Sequence, residues 1–244
     1  MPKMRQRYWI ALLLPALLGA SVLRAQDADD DFDVFGEEFD RQAVTIADPL
    51  EPVNRFMFEV NDRLYFLIIK PVSSGYKAVA PEPLRICVQN FFQNLLAPVR
   101  IVNCLLQGKP KSAEIETKRF LVNSTAGILG LTDRARDKHG LQPVDEDLGQ
   151  TLAVYGVSDG IYLVLPLLGP STFRDSVGRL GDSFLNPVTY VDDFETYVGI
   201  NAYRITNDYS LHLGEYETLK AESVGPYIAI RNAYIQYRRS KIKQ

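Results

Sequence analysis

One short stretch of this sequence has the spacing of a hydrolase nucleophile. Residues 156–160 read GVSDG and match G-x-S-x-G, in which a strained turn between a strand and a helix exposes a serine. That serine would be Ser158, and Asp192 and His212 follow in the order used by serine triads of this type. A serine esterase or lipase is therefore one candidate function.

The surrounding residues weaken that hypothesis. A nucleophile elbow needs a strand before the serine and a helix after it. Residues 152–155 could supply the strand, but residues 161–168 are a continuous apolar run containing Pro166, not an amphipathic helix. The chain also lacks the alternating strands and helices of an α/β-hydrolase. We therefore favour a protein that is not an enzyme and keep the esterase as the alternative.

Residues that could hold a metal or cofactor are sparse. The two histidines, His139 and His212, lack the paired spacing of a metal site. The acidic residues 145–147 could contact a hard cation but lack the full pattern of a calcium loop. No nucleotide-binding fingerprint appears, and a net charge of −3 gives no reason to expect a nucleic-acid partner. We expect no metal, cofactor or nucleic acid.

The N-terminus has the features of a secretory signal peptide, which we assign to residues 1–25. Lys3, Arg5 and Arg7 form a basic start, and the apolar stretch 10–18 follows them. This stretch is shorter than the roughly 20 residues that a membrane-spanning helix needs. We therefore expect export. No cysteine stands near residue 20 to carry a lipid anchor.

An acidic segment follows, and we assign residues 26–47 to it. Eight acidic residues lie between Asp27 and Asp40. Such a density of like charge repels itself and favours a disordered tether. Residues 48–244 are then expected to form the folded domain.

Apolar residues recur at helical spacing through most of residues 48–244, which predicts a mainly α domain. One expected helix begins at Asp48 and ends at Lys70-Pro71, and another runs from Pro81 to Gly108 with a kink at Pro98. Further helices are expected from Ser112 and over residues 192–220, followed by a basic C-terminal helix from Tyr227. Residues 132–150 are polar and expected to be irregular. The apolar residues 161–170 are too few for a span and predict a buried or re-entrant segment.

The two cysteines lie in one predicted helix. A straight helix would separate Cys87 from Cys104 by roughly 25 Å, because each residue adds about 1.5 Å. A disulfide needs Cα atoms within about 7 Å. Only a sharp break at Pro98 could bring the two together, so we expect two buried free thiols.

Taken in order, these segments resemble the MlaA/VacJ family over most of the expected domain. Residues 48–55, DPLEPVNR, are similar to the family's opening D-P-L-E-x-x-N-R, and residues 102–108, VNCLLQG, are similar to its V-N-x-x-L-Q-G. The positions that carry the resemblance include Asp48, Pro49, Asn54, Asn103, Gly108, Asn123, Gly156, Gly160 and Asp175.

The resemblance implies a fold and a function. It implies a mainly α, ring-like, membrane-associated domain around an amphipathic channel, at the periplasmic face of the outer membrane. It further implies association with a trimeric porin and transfer of misplaced phospholipids to a periplasmic carrier protein, which maintains lipid asymmetry. In this family the glycines Gly156 and Gly160 would act as backbone hinges rather than frame a nucleophile. A structural or adhesion protein of the envelope is the third alternative.

Two expectations concern contact with lipid. The best-known family members carry an acylated N-terminal cysteine, so this chain is expected to hold the membrane through residues 64–69, residues 161–168, its basic C-terminal helix or its porin partner. Cationic donors suit phosphate oxygens. Arg55, Lys70 and Arg174 are therefore the candidate phospholipid contacts.

Overall fold

The computed structural model describes residues 46–243, so the predicted signal peptide and almost all of the predicted tether lie outside the described residues. The described part is mainly helical, as predicted. Its helices are α1 (Glu51–Leu64), α2 (Lys70–Val79), α3 (Glu82–Leu95), α4 (Ala97–Leu106), α5 (Pro110–Thr125), α6 (Arg134–His139), α7 (Leu148–Val154), α8 (Phe173–Ser183), α9 (Phe194–Leu211), α10 (Glu215–Glu222) and α11 (Pro226–Ile242).

The first helix does not end at Lys70-Pro71, so that prediction is wrong. A π-helical turn, Tyr65–Ile69, joins α1 directly to α2. The backbone N–H of Lys70 reaches back five residues to the carbonyl of Tyr65. Pro71 lacks an N–H and would normally break a helix. Here it follows a turn in which the regular i→i−4 ladder is already interrupted, so the chain continues without a stop.

The predicted second helix is divided into α3 and α4. The division lies at Leu96, two residues before Pro98, because proline fits the first turn of a new helix better than a helix interior. Cys87 and Cys104 are both free, which confirms the predicted free thiols, although only Cys104 is fully buried. Burial raises the pKa of Cys104 to about 11, so this thiol stays protonated.

The apolar segment at 161–170, predicted to be a buried or re-entrant segment, belongs to a β-hairpin. Strand β1 (Tyr162–Leu165) pairs antiparallel with β2 (Gly169–Thr172), with Tyr162 opposite Thr172. Apolar residues that alternate between buried and half-buried suit a strand that has one face against the protein.

Two further predictions of local structure need correction. Residues 132–150 contain α6 and the start of α7 rather than only irregular chain. The long helix predicted for residues 192–220 is divided into α9 and α10, because Gly214 adopts a left-handed conformation with φ of 97°. At the end of the hairpin, Thr172 caps α8 by accepting a hydrogen bond from the Asp175 N–H at 3.2 Å.

The packed elements form a closed circuit. From α1 the chain of contacts runs through β1, β2, α11, α7, α4, α3, α9 and α2, and returns to α1 through the π turn. Each element of this circuit thus contacts the next, from α1 back to α1. This arrangement agrees with the ring-like domain that the resemblance implies.

The burial pattern includes an apolar cluster of Tyr162, Val164, Tyr227 and Ile235, but polar side chains outnumber apolar ones among the buried residues. Asn54, Asn103 and Glu116 are among the fully buried side chains. Many large apolar side chains are exposed instead, among them Leu67, Ile68, Val79, Leu84, Leu105, Leu121, Ile128, Leu129, Phe173, Leu180, Phe184 and Phe194. Extensive exposed apolar surface marks contact with a partner or a lipid phase. Within residues 46–243, no helix combines the length and the hydrophobicity required to cross a membrane.

Candidate functional site

A cavity of about 250 Å³ opens between α1, the π turn, the hairpin, α9, α10 and α11. Most of its wall is apolar, with Leu64, Ile69, Leu168, Leu219 and Ile230 among the lining residues. The polar groups of the wall come from an asparagine and several tyrosines, Asn61, Tyr65, Tyr162, Tyr209 and Tyr216. A mostly apolar cleft with a few convergent polar groups is the usual form of a site for an amphipathic ligand.

Two carboxylates lie beside the cavity, and each is bound by one lysine and one tyrosine. The Asp62 carboxylate pairs with Lys220 Nζ at 2.7 Å and accepts from the Tyr216 hydroxyl at 2.8 Å. We call the two carboxylates with their lysines and tyrosines the charged rim: Asp62, Tyr65, Lys70, Tyr216, Glu217 and Lys220. The contacts join α1 to α10, which contains no fully buried residue.

The second carboxylate repeats the arrangement. Glu217 pairs with Lys70 Nζ at 2.9 Å and accepts from the Tyr65 hydroxyl at 2.7 Å. Burial and then the hydrogen bond to Glu217 raise the pKa of Tyr65, so its hydroxyl remains a donor. The two lysine ammonium groups flank the Phe66 ring, 5.5 Å and 5.0 Å from its centroid for Lys70 and Lys220. Cations at such distances are attracted by the ring face.

Two asparagines two turns apart on α1 hold the hairpin that forms one wall of the cavity. Asn54 donates to the Tyr162 carbonyl and accepts from the Val164 N–H, both at 2.9 Å. Asn61 donates to the Leu165 carbonyl at 2.9 Å and accepts from the N–H of Leu167 at 2.8 Å. Each side-chain amide thereby replaces the partner strand that the edge of β1 lacks. Asn54, a predicted family position, is therefore a positioning residue for the hairpin.

The motif that opens the domain does not act as predicted. Asp48 does not cap α1, and Pro49 precedes the helix, which begins only at Glu51. The Asp48 side chain instead accepts from Asn54 at 2.7 Å and pairs with Arg231 at 3.1 Å. Tyr227 also donates to this carboxylate. The motif therefore ties the start of α1 to α11 and stabilises the asparagine that holds the hairpin.

Asn103 and Gly108 belong to the side of the circuit away from the hairpin. Asn103 is buried, donates to Asp182 at 2.8 Å and accepts from the Thr151 hydroxyl at 2.8 Å. It thereby joins α4 to both α7 and α8. Gly108 ends α4, and its N–H bonds the Leu105 carbonyl at 3.0 Å.

Asn123 closes the turn after α5. Its side chain donates to Asp133 at 3.0 Å and accepts from the Ala135 N–H at 2.9 Å. Arg119 pairs with the other oxygen of Asp133 at 3.0 Å. Burial alone would raise the pKa of Asp133, but these donors lower it, so the carboxylate stays charged. The cluster fixes α5 against α6.

Asp175 lies in a buried network of charges between α7, α8 and α11. Arg238 donates to both of its carboxylate oxygens at 2.9 Å and to Asp147 at 2.6 Å and 2.9 Å. The hydroxyl of Tyr234 adds a bond of 2.6 Å. Burial by itself would raise the pKa of the Asp147 and Asp175 carboxyl groups, but the hydrogen bonds and charge of Arg238 lower both. Arg238 belongs to the basic C-terminal helix predicted to hold the membrane, but its own side chain is buried in this network.

The local structure around Ser158 is not that of a nucleophile elbow. Residues 152–155, predicted as a strand, are the end of α7 and its turn, and a strand rather than a helix follows Gly160. Ser158 is exposed, and the His212 ring bonds the Asp208 carbonyl at 2.8 Å. Asp159 is occupied by an ion pair of 2.7 Å with Arg174. The structure thus gives no elbow geometry for the esterase hypothesis.

The two glycines of that segment bracket a connection between α7 and the hairpin. Gly156 and Gly160 have φ of 86° and 70°, values in the left-handed region that favours glycine. Glycine therefore suits both positions, and their role as backbone hinges stays a prediction.

The three predicted lipid contacts occupy different environments. Arg55 is exposed, pairs with Glu51 at 2.6 Å and lies 4.5 Å from the Tyr227 ring centroid. Lys70 belongs to the charged rim. Arg174 is buried, and two carboxylates, those of Asp159 and Asp175, match its charge. Of the three, only Lys70 lies beside the cavity, where Glu217 connects it to the wall residue Tyr65.

Sequence reasoning missed the other members of the rim. The sequence does contain a signal for part of this region. Asp62, Phe66 and Lys70 are spaced at i, i+4 and i+8, which puts them on one helix face. The contribution of Glu217 and Lys220 from α10 depends on tertiary contacts that no local pattern encodes.

The acidic residues 145–147, considered as a cation site, instead contact positive groups of the protein. Glu146 pairs with Lys109 at 2.7 Å, Asp147 with Arg238, and Asp145 with Lys241 at 3.5 Å. Within the described residues, no three His, Cys, Asp or Glu side chains come together as a metal site would require.

Comparisons with known proteins agree on one family. The MlaA lipoprotein family matches residues 46–241. The intermembrane phospholipid transport system lipoprotein MlaA of Escherichia coli K12 is 32% identical over 195 residues, which cover 78% of this chain and 76% of that protein. The protein of the same name from Haemophilus influenzae is 29% identical and covers 94% of this chain and 90% of its own length. A protein of Rickettsia prowazekii, RP093, is 32% identical, with coverage of 96% and 93%.

A solved structure gives the same result in three dimensions. It comes from work on the structural basis for maintenance of bacterial outer membrane lipid asymmetry, and it superposes with a TM-score of 0.72 at 32% identity. It covers 81% of this chain and all of the solved one. The family match over nearly all described residues, the named relatives and the shared fold lead to one conclusion: the chain belongs to the MlaA lipoprotein family.

Proposed function

We propose that this chain transports phospholipids from the outer membrane toward the periplasm and thereby maintains lipid asymmetry of the outer membrane. The observation that carries the proposal is the amphipathic cavity between α1, the π turn, the hairpin, α9, α10 and α11, in a domain that exposes many large apolar side chains. A phospholipid has a charged head and long acyl tails. Its passage needs a path that accepts both, and this cavity offers apolar walls next to a charged rim.

The outer surface supports residence in a lipid leaflet. Exposed apolar side chains of the π turn, α3, α5 and α8 would be costly in water but favourable against acyl chains. The buried side-chain amides of Asn54 and Asn103 are hydrogen-bonded inside the protein, as a lipid environment demands. We place the domain at the periplasmic face of the outer membrane, with a trimeric porin and a periplasmic carrier protein as partners. The apolar residues Leu67 and Ile68 then contribute to membrane attachment.

Transport of an intact phospholipid requires no covalent step, so no nucleophile is needed. The relatives named as transport-system proteins support this interpretation. Among the predicted phosphate contacts, Lys70 is retained because it lies on the rim, and Arg55 because it is exposed on α1, which the π turn joins to the helix of Lys70. Arg174 is not retained, since its charge is neutralised within the protein.

Lipid extraction separates transport from the esterase alternative. The exported full-length chain is purified in mild detergent, and its bound lipid is analysed by thin-layer chromatography before and after incubation with phospholipid vesicles. We expect intact phospholipid and no released fatty acid, and the same result for Ser158→Ala. Fatty acid release by the native chain that disappears in Ser158→Ala would contradict transport and favour the esterase.

A further inference from the structure

The charged rim beside the cavity has both signs of charge in equal number. Lys70 and Lys220 contribute two positive charges, and Asp62 and Glu217 contribute two negative ones. Positive and negative groups therefore lie side by side along the contact between α1, α2 and α10. Such an arrangement is complementary to a ligand that also carries one charge of each sign.

The lysines retain capacity for another ligand. An ammonium has three N–H donors. Lys70 uses its ammonium in a single ion pair, and its side chain is 41% exposed, while that of Lys220 is 36% exposed. Both ammonium groups lie near the same Phe66 ring, so the rim brings two phosphate-binding donors to one part of the protein.

The carboxylates retain capacity as well. A carboxylate accepts about four hydrogen bonds. Asp62 accepts from Lys220 and Tyr216, and Glu217 accepts from Lys70, Tyr65 and the Gly214 N–H. The Asp62 and Glu217 side chains are 18% and 24% exposed, respectively, so neither is closed to solvent. An incoming ammonium group would find two partly open acceptors next to the lysines.

We propose that the charged rim binds the headgroup of the transported lipid and selects zwitterionic phospholipids, in which a phosphate and an ammonium are joined by a short linker. The lysines bind the phosphate, and Asp62 and Glu217 bind the ammonium. An anionic lipid such as phosphatidylglycerol offers the same phosphate but no ammonium, and it leaves the two carboxylates beside a net negative ligand. This inference rests on the proposed transport function.

The test is a competition between two lipids. Full-length chain in mild detergent is incubated with vesicles of equal phosphatidylethanolamine and phosphatidylglycerol with identical acyl chains, then isolated again, and its bound lipid is quantified by mass spectrometry. We expect enrichment of phosphatidylethanolamine of about two- to fivefold, the range that one exposed ion pair contributes. Equal uptake of the two lipids would overturn the inference.

A matched pair of variants locates the effect. Asp62→Asn with Glu217→Gln removes two negative charges from the rim and should abolish the enrichment. Glu114→Gln with Asp137→Asn removes the same charge from exposed ion pairs on α5 and α6 and should leave the enrichment unchanged. Lys70→Gln with Lys220→Gln should reduce both bound lipids, since both contain phosphate. A rim variant that melts at a lower temperature but keeps the native enrichment would show a purely structural rim and overturn the inference.

A salt titration of the native chain tests the inference without any variant, so its result does not depend on how a variant folds. The enrichment depends on charge, so about 1 M salt should remove it by screening, whereas apolar contacts with the tails persist. Enrichment unaffected by salt would contradict headgroup selection by the rim. Absence of any bound phospholipid would overturn the transport proposal itself. Bound phospholipid in equal amounts would overturn only the selection.

Discussion

Replacement of Arg238 by methionine is the sharpest test of the polar interior. Methionine approximates the apolar stem of arginine but removes the charge that both Asp147 and Asp175 contact. Asp175 is 3% exposed, and it would lose its ion pair with Arg238 and keep the one with Arg174. Loss of one partner of a buried ion pair costs about 3–5 kcal/mol, because an uncompensated charge remains inside the protein. We therefore expect the free energy of unfolding to fall by about that amount.

The adjacent Arg239 provides the control. Its side chain is 43% exposed, and its carboxylate partner, Asp159, lies 3.8 Å away. Arg239→Met should change the free energy of unfolding by less than about 0.5 kcal/mol. Both variants are compared with the native chain by urea unfolding followed by circular dichroism in the same detergent. Equal stability of Arg238→Met and Arg239→Met would refute the claim that the buried network holds α11 in the circuit.

The same network predicts a dependence on pH. Arg238 holds the pKa of Asp147 and Asp175 below the ordinary value of 3.8, so their contribution to stability is present above about pH 4 and is lost as pH falls through the lowered values. In Arg238→Met the Asp175 carboxyl group is buried without this cation, which favours its protonated form and raises its pKa. The difference in stability between native chain and variant should therefore narrow from pH 7 to about pH 4. A constant difference would contradict the assigned charges.

Three further predictions concern the hairpin, the close contact of α7 with α8, and the serine motif. Asn54→Ala leaves two backbone groups of β1 without their partner, so we expect a loss of about 1–3 kcal/mol for each and faster amide hydrogen exchange in the hairpin; unchanged exchange would contradict its role as a clamp. Gly178→Ala would bring a Cβ within 2.4 Å of a backbone nitrogen of α7 and should destabilise by about 1–3 kcal/mol in thermal unfolding, whereas Gly199→Ala in open space on α9 should stabilise slightly. Ser158→Ala should support the same rate of phospholipid transfer to an acceptor as the native chain, and a loss of more than tenfold would disagree with a transport path that needs no nucleophile.

The parts of the fold that follow a local period were predictable. Apolar residues recur every three to four positions in most helices, and that spacing identified a mainly α domain. The hairpin was not identified as a hairpin, because a short apolar run fits a buried helix, a strand or a re-entrant loop equally well. The continuation through Pro71 was also missed, since a π turn has no recognised sequence signal and proline alone predicts a stop.

The candidate site was predictable only in part. Lys70 was identified from its charge at the end of an apolar run, but its partner Glu217 lies far away in sequence. Arg174 and Arg238 have the same residue type as an exposed cation, and only the tertiary structure reveals the carboxylates that surround them. Sequence patterns report which residues could be charged contacts, but burial decides which of them remain open to a ligand.

The central claim is that phospholipid passes through the cavity, and surface-exposed phospholipid in cells tests it most directly. A strain that lacks this protein is complemented with the native chain, with Leu219→Trp, which fills the cavity wall, or with Leu180→Trp, which enlarges an exposed side chain of α8. Phospholipid in the outer leaflet should rise in the deletion strain and return to normal with the native chain and Leu180→Trp, but not with Leu219→Trp. Unchanged outer-leaflet phospholipid in the deletion strain, or full restoration by Leu219→Trp expressed at the native level, would contradict transport through this cavity.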